Sequence, residues 1–231
     1  MNKRKTLILY ILILIILIFL IIFVSWPDIY SFINGNNTIK NHIIKLDLTD
    51  KNTYEITNQL FNWLDNNVTE MWAITHSAPK PCPIKINNYC VISIYTIYDK
   101  EKNVNINKYY HRADAPRLIA WFIKSRMGAC GEGTWYYVKV MDTLGYNAKT
   151  VKVKGGGHLW AELIDETGTK YYVDPFTNHF ESDLNKFIFE ITWVDWNDLN
   201  NIYIAQKING KKEDITDEYT QLIKNCDLSI K

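Results

Sequence analysis

A cysteine at position 130 sits in the stretch GACGEGTWYY, residues 128–137, flanked by Gly128, Gly131 and Gly133 and followed by Glu132. The spacing of Tyr137, Val138, Met141 and Leu144 predicts a helix that begins near Cys130 and stops at Gly145. A thiol at a helix N-terminus meets backbone N–H groups and the positive end of the macrodipole, and both favour the thiolate. The same N–H groups can stabilise an oxyanion if the sulfur attacks a carbonyl. The glycines are expected to keep the surroundings open to a substrate backbone.

A nucleophile also needs a base. His158 follows three glycines and opens HLWAELID, residues 158–165, where His158, Trp160 and Glu162 fall on one face by the period of two. Asp174 ends the next strand-like run, KYYVDPF, and Asp165 to Gly168 supplies the turn of a hairpin between the two. If the first strand packs beside the Cys130 helix, the imidazole can take the thiol proton, and the carboxylate can hold the imidazole tautomer. Each residue alone has a plainer reading: a packed thiol, a structural histidine, an Asp-Pro turn. Their occurrence on three successive elements favours the chemical one.

The motifs GACGEG, GGGHLWAEL and YYVDPF resemble the Cys, His and Asp motifs of the transglutaminase-like superfamily of papain-related folds. The resemblance covers roughly residues 112–176. Within it, PRLIAWFIKSRMGACGE is similar to the helix and G-x-C-G-E segment of the peptide N-glycanase branch. The resemblance implies a Cys130–His158–Asp174 triad acting on an amide or isopeptide carbonyl through an acyl-enzyme. The acyl group would then pass to water or to an amine. It further implies supporting roles for Glu132 as a loop anchor and Trp160 as a cleft wall. Trp72, Tyr110 and Trp121 are candidates for an oxyanion-hole side chain, Trp121 being equally suited to its helix core. No cofactor or metal is expected, and the calcium sites of animal transglutaminases have no counterpart.

The elements that would hold this constellation follow from pattern. Asp114 and Pro116 open a helix carrying Leu118, Ile119, Trp121 and Phe122, with Gly128 as its stop. Strands are predicted at 149–154, 158–165, 170–176, 187–194 and 202–207, with Asn209 and Gly210 in a turn and a helical tail at 213–225. Upstream, a helix capped by Thr49 or Asp50 carries Ile56, Leu60, Phe61 and Leu64, whereas 76–90 reads as a loop and 91–98 as a strand or a helical turn. Helices first and an antiparallel sheet after them make the fold class α+β.

Residues 7–24 are eighteen consecutive positions without a charge or a helix breaker. As a helix they would span about 27 Å, nearly a bilayer core. The run exceeds a signal-peptide core and lacks a small-residue cleavage site. Lys3, Arg4 and Lys5 precede it, so the positive-inside bias predicts a single-pass anchor with a cytoplasmic N-terminus. The expected organisation is an anchor at 1–25, a polar connector at 26–48 and an extracytoplasmic domain at 49–231, its core about 112–207. Cys82 and Cys90 bracket a loop that could close as a disulfide in that compartment. With 26 basic and 25 acidic residues, nothing in the charge calls for nucleic acid as a partner. The expected partners are the membrane and a polypeptide or cell-envelope peptide substrate. The leading reading is a peptidase or amidase, since water is always available. A cross-linking transglutaminase or a non-catalytic binding domain on the same fold are the alternatives.

Overall fold

The computed structural model describes residues 3–70, 84–86, 89–99, 104–110, 118–154, 158–191, 194–196, 198, 201–208 and 210–224. Helix α1, Lys3–Lys45, begins with the apolar run and continues through what the sequence suggests is a connector. Its two arms, Leu7–Phe23 and Ser25–Lys45, meet at 58°. Pro27 explains the bend: it has no N–H to donate, and its ring crowds the carbonyl four residues back, at Phe23. No single described helix is long and apolar enough to cross a membrane, although the bent pair passes that test together. Large side chains from Leu7 to Phe23 are exposed, while Ile39 and Ile43 on the second arm are buried in the domain core. The polar residues of INGNNTIKN thus form the outer side of a packed helix and not a connector.

Helix α2, Thr53–Asn67, starts at a full capping box. Asn52 accepts from the Glu55 N–H at 2.9 Å, and Glu55 accepts from the Asn52 N–H at 3.2 Å. Asn52 therefore does the work expected of Thr49 or Asp50. Strands β1, Thr69–Glu70, β2, Ile84–Ile86, β3, Tyr89–Asp99, and β4, Val104–Tyr110, follow, the last three forming a small antiparallel sheet. Residues 91–98 thus lie in a strand. Cys82 lies outside the described residues, and with it the expected disulfide.

Helix α3, Ile119–Ser125, ends at Arg126, whose φ of 54° is left-handed. Gly128 lies beyond that stop, in the two-residue strand β5, Met127–Gly128, paired in parallel with β1. Helix α4, Cys130–Thr143, packs on a six-stranded antiparallel sheet. Its strands are β6, Asn147–Val153, β7, Leu159–Ile164, β8, Lys170–Asp174, β9, His179–Glu181, β10, Tyr203–Gln206, and β11, Lys212–Asp214. The order is β11-β10-β6-β7-β8-β9.

The pleat sorts the core into two parts. Ala148, Leu159, Ala161, Leu163 and Val173 join α2, α3, α4 and the second arm of α1 on one face. Val151, Val153, Trp160, Tyr172, Tyr203 and Ala205 face the other way, toward α5, Leu184–Glu190, and α6, Thr216–Lys224. The first half of the strand expected at 187–194 is thus the end of a helix, started by Asp183, which accepts from the Asn185 N–H at 2.9 Å. The molecule is α+β, as its order of patterns suggests.

Candidate active site

Cys130, His158 and Asp174 all lie at element boundaries: the first residue of α4, the residue just before β7, and the last residue of β8. The β7–β8 register, with Ala161 opposite Val173, runs toward Trp160 beside Asp174, so His158 lies two residues further along that strand end. His158 Nε2 is 2.6 Å from Asp174 Oδ2, and both side chains are buried. That bond uses one ring nitrogen, which leaves Nδ1 for the thiol of the half-buried Cys130. Burial opposes a charge on His158. Its hydrogen bonds to Asp174 and Cys130, together with the charges of both, outweigh burial and carry its pKa up to about 9. The imidazole thus stands between a buried carboxylate and the thiol at the head of α4, placed to exchange a proton with either.

Three contacts fix the sulfur relative to this pair. Thr134, one turn into α4, donates its hydroxyl to the Leu159 carbonyl at 3.0 Å, next in sequence to His158. Asp174 Oδ1 accepts from the Phe176 N–H at 3.1 Å, which ties the carboxylate to its own turn. The ring of Phe176 then covers Gly133, where a Cβ would lie 2.0 Å from its Cε2 atom. Gly133 therefore permits a close approach to Phe176, in place of the open access the sequence suggests. The hairpin that carries His158 and Asp174 is thus attached to the helix that carries Cys130 at both of its site-bearing ends.

Glu132 has a defined task. Its carboxylate accepts from the Ala129 N–H at 3.1 Å, closing the turn in front of Cys130 from inside the fold. Ala129 has no side-chain acceptor, so this is the returning half of a capping box. Position 128 is also restricted, since a Cβ there would lie 2.6 Å from Phe122 Cε2 and 2.8 Å from Glu132 Cβ. The first intrahelical bond runs from the Gly133 N–H to the Ala129 carbonyl at 3.1 Å. The N–H groups of the preceding turn are therefore directed toward the sulfur end of the helix.

Two expected supporting residues are placed otherwise than expected, Trp160 behind His158 with the two rings 6.4 Å apart and Trp121 against α1. Trp160 is fully buried, so it is no cleft wall; its ring packs with Phe187, Trp196, Tyr203 and Tyr219 behind the sheet. Trp121 packs edge-on against Tyr30 of α1, with ring centroids 5.8 Å apart, and its backbone N–H donates to Ser31 Oγ at 3.3 Å. Of the other two oxyanion-hole candidates, Trp72 lies outside the described residues and Tyr110 is described only by its place in β4.

A residue that pattern reading passes over is His42, on the second arm of α1. It shares a 2.8 Å hydrogen bond with Tyr136 of α4 and stands edge-on to Trp63, centroids 4.6 Å apart. Burial, helped by the charges of Lys45 and Arg126, lowers its pKa to about 4. Among the described residues, no group of three or more His, Cys, Asp or Glu side chains is arranged to hold a metal ion.

No protein-family model and no curated protein sequence matches the chain. Among solved structures, a candidate protease of Parabacteroides distasonis aligns over 82% of this chain at 12% identity, with a TM-score of 0.40. The match covers 30% of that protein's length, and the likeness is too distant to bear on fold or activity.

Proposed function

We propose that the chain is a thiol enzyme of transglutaminase-like fold that acts on amide or isopeptide bonds through Cys130, His158 and Asp174. One observation carries the reading: His158 is bonded at once to a buried carboxylate, at 2.6 Å, and to the thiol at the head of α4. In the reaction the Cys130 thiolate adds to the carbonyl carbon and the oxygen takes the charge. The N–H groups of the first turn of α4 would receive that charge. His158, protonated and held by Asp174, delivers its proton to the departing amine as the C–N bond breaks. A thioester remains on Cys130. His158, now neutral, removes a proton from water, hydroxide equivalent adds to the thioester carbonyl, and the carboxylic acid and the thiol are released. An amine in place of water gives transamidation by the same proton transfers.

The exposed apolar run Leu7–Phe23 supports a membrane anchor, with the domain held outside the cytoplasm by the basic residues that precede it. In this reading the substrates are polypeptides or cell-envelope peptides. Acid quenching of the full chain after incubation with mixed peptides, followed by intact mass analysis, tests the chemistry. The expected result is a hydroxylamine-labile acyl adduct on the peptide containing Cys130, absent from Cys130→Ala. A quenched protein that never carries an adduct under conditions where Cys130 is alkylated would favour the binding-domain alternative.

A further inference from the structure

Behind the sheet, one polar chain runs through an otherwise aromatic core. The indole N–H of Trp160 donates to the Tyr219 hydroxyl at 3.0 Å, and that hydroxyl donates to Glu162 Oε1 at 2.7 Å. Glu162 Oε2 pairs with Lys149 at 3.0 Å and Lys170 at 3.3 Å, and Lys170 reaches Glu218 at 2.7 Å. Trp160, Glu162 and Tyr219 are each no more than 1% exposed. A buried carboxylate of this kind is weak as a source of stability, because desolvation offsets most of its attraction to the lysines. Glu162 Oε2 meets the lysines only as ion pairs, whereas the two hydrogen bonds at Tyr219 are directional and fix the orientation of the indole and the carboxylate they join.

The group at the front of the chain is Trp160, and its ring lies nearly parallel to that of His158, 19° apart with centroids at 6.4 Å. The indole is held at its N–H by Tyr219 and surrounded by the tilted or edge-on rings of Phe187, Trp196 and Tyr203. Tyr219 itself is stacked on Tyr203 at 4.7 Å. The charged groups around this core are Glu162, Lys149, Lys170 and Glu218; those at His158 are Asp174 and Cys130.

We infer that Tyr219, on the C-terminal helix α6, is a positioning residue for the candidate active site. By bonding both Trp160 and Glu162 it holds the indole that backs His158, and so sets the imidazole's alignment between Asp174 and Cys130. This rests on the thiol-enzyme reading above. Helix α6 is then part of the machinery, although it contributes no group that touches substrate.

The test is the pH profile of Cys130 alkylation by iodoacetamide, read by mass spectrometry on the full chain in detergent, for wild type, Tyr219→Phe, Trp160→Phe and the double variant. Tyr219→Phe keeps the ring and removes only the hydroxyl. Rates at pH 6 should fall about tenfold, within what a displaced catalytic group costs. The alkaline inflection that reports His158 should move toward neutral pH. Trp160→Phe, which breaks the same bond from its other end, should reproduce the change, and the double variant should add little. Should Tyr219→Phe fail to fold, Trp160→Phe reads the same bond. A lowered melting temperature with a profile that overlays wild type would make the hydroxyl merely structural and overturn the inference. A wild-type profile already like that of an ordinary thiol would instead overturn the thiol-enzyme reading itself.

Discussion

Phe176 occupies the place where a side chain on Gly133 would be: a Cβ added there would lie 2.0 Å from one ring carbon and 2.5 Å from its neighbour. This contact joins the turn that carries Asp174 to the helix that Cys130 begins. A chain that merely needed an accessible sulfur would have no use for it.

Gly133→Ala should therefore push the Phe176 ring aside. Overpacking of this kind costs about 1–3 kcal/mol, measurable as a lower midpoint in chemical denaturation. Alkylation of Cys130 at pH 6 should slow as well, because the ring pulls on the N–H that holds Asp174 Oδ1. An alanine variant as stable and as reactive as wild type would mean that the contact does not set the site.

The stability of the fold should depend on pH through His158. Its folded pKa, about 9, lies above the ordinary histidine value of 6.5. The folded state thus binds more protons between those values, and stability falls as pH rises through that window. The contribution is fully present below pH 6.5. Melting temperatures from pH 6 to 9.5, compared between wild type and Asp174→Asn, should show a steeper alkaline decline in wild type; parallel curves would contradict the pairing.

His42 sets the opposite limb. Its folded pKa, about 4, lies below 6.5, so the unfolded chain takes up the extra proton and stability falls on acidification from pH 6.5 toward 4. His42→Gln can keep a hydrogen bond to Tyr136 while removing the titration, and should flatten this limb in acid-unfolding curves. An unchanged slope would assign the acid limb to other groups.

The site is more legible in the sequence than the elements around it. Cys130, His158 and Asp174 stand in local patterns, a helix start and a hairpin, that short-range rules describe. Glu132, expected as a loop anchor only through the family resemblance, also has a local signal, being a glutamate at the third position of the helix, where it can return to the backbone N–H before it. Other features are contacts between distant segments. Nothing local to Gly133 announces Phe176, and nothing in HLWAEL announces Tyr219. The second arm of α1 misleads because its buried positions include the polar Ser31 and His42 beside Ile39 and Ile43, while apolar Phe32, Ile33 and Ile44 are exposed, so its sequence shows no clean apolar stripe. Helix α5 misleads in the other way: its apolar run is too short for periodicity to separate strand from helix, and Asp183 is the local signal that decides it.

The account turns on whether Cys130 is held as a thiolate by His158. The direct measurement is the rate of Cys130 alkylation by iodoacetamide at pH 6, in wild type and in His158→Ala. The account predicts that wild-type Cys130 reacts at least tenfold faster than an unstructured cysteine peptide under the same conditions, and that His158→Ala loses this advantage. A Cys130 that reacts no faster than the peptide, or equally fast with and without the imidazole, would contradict it.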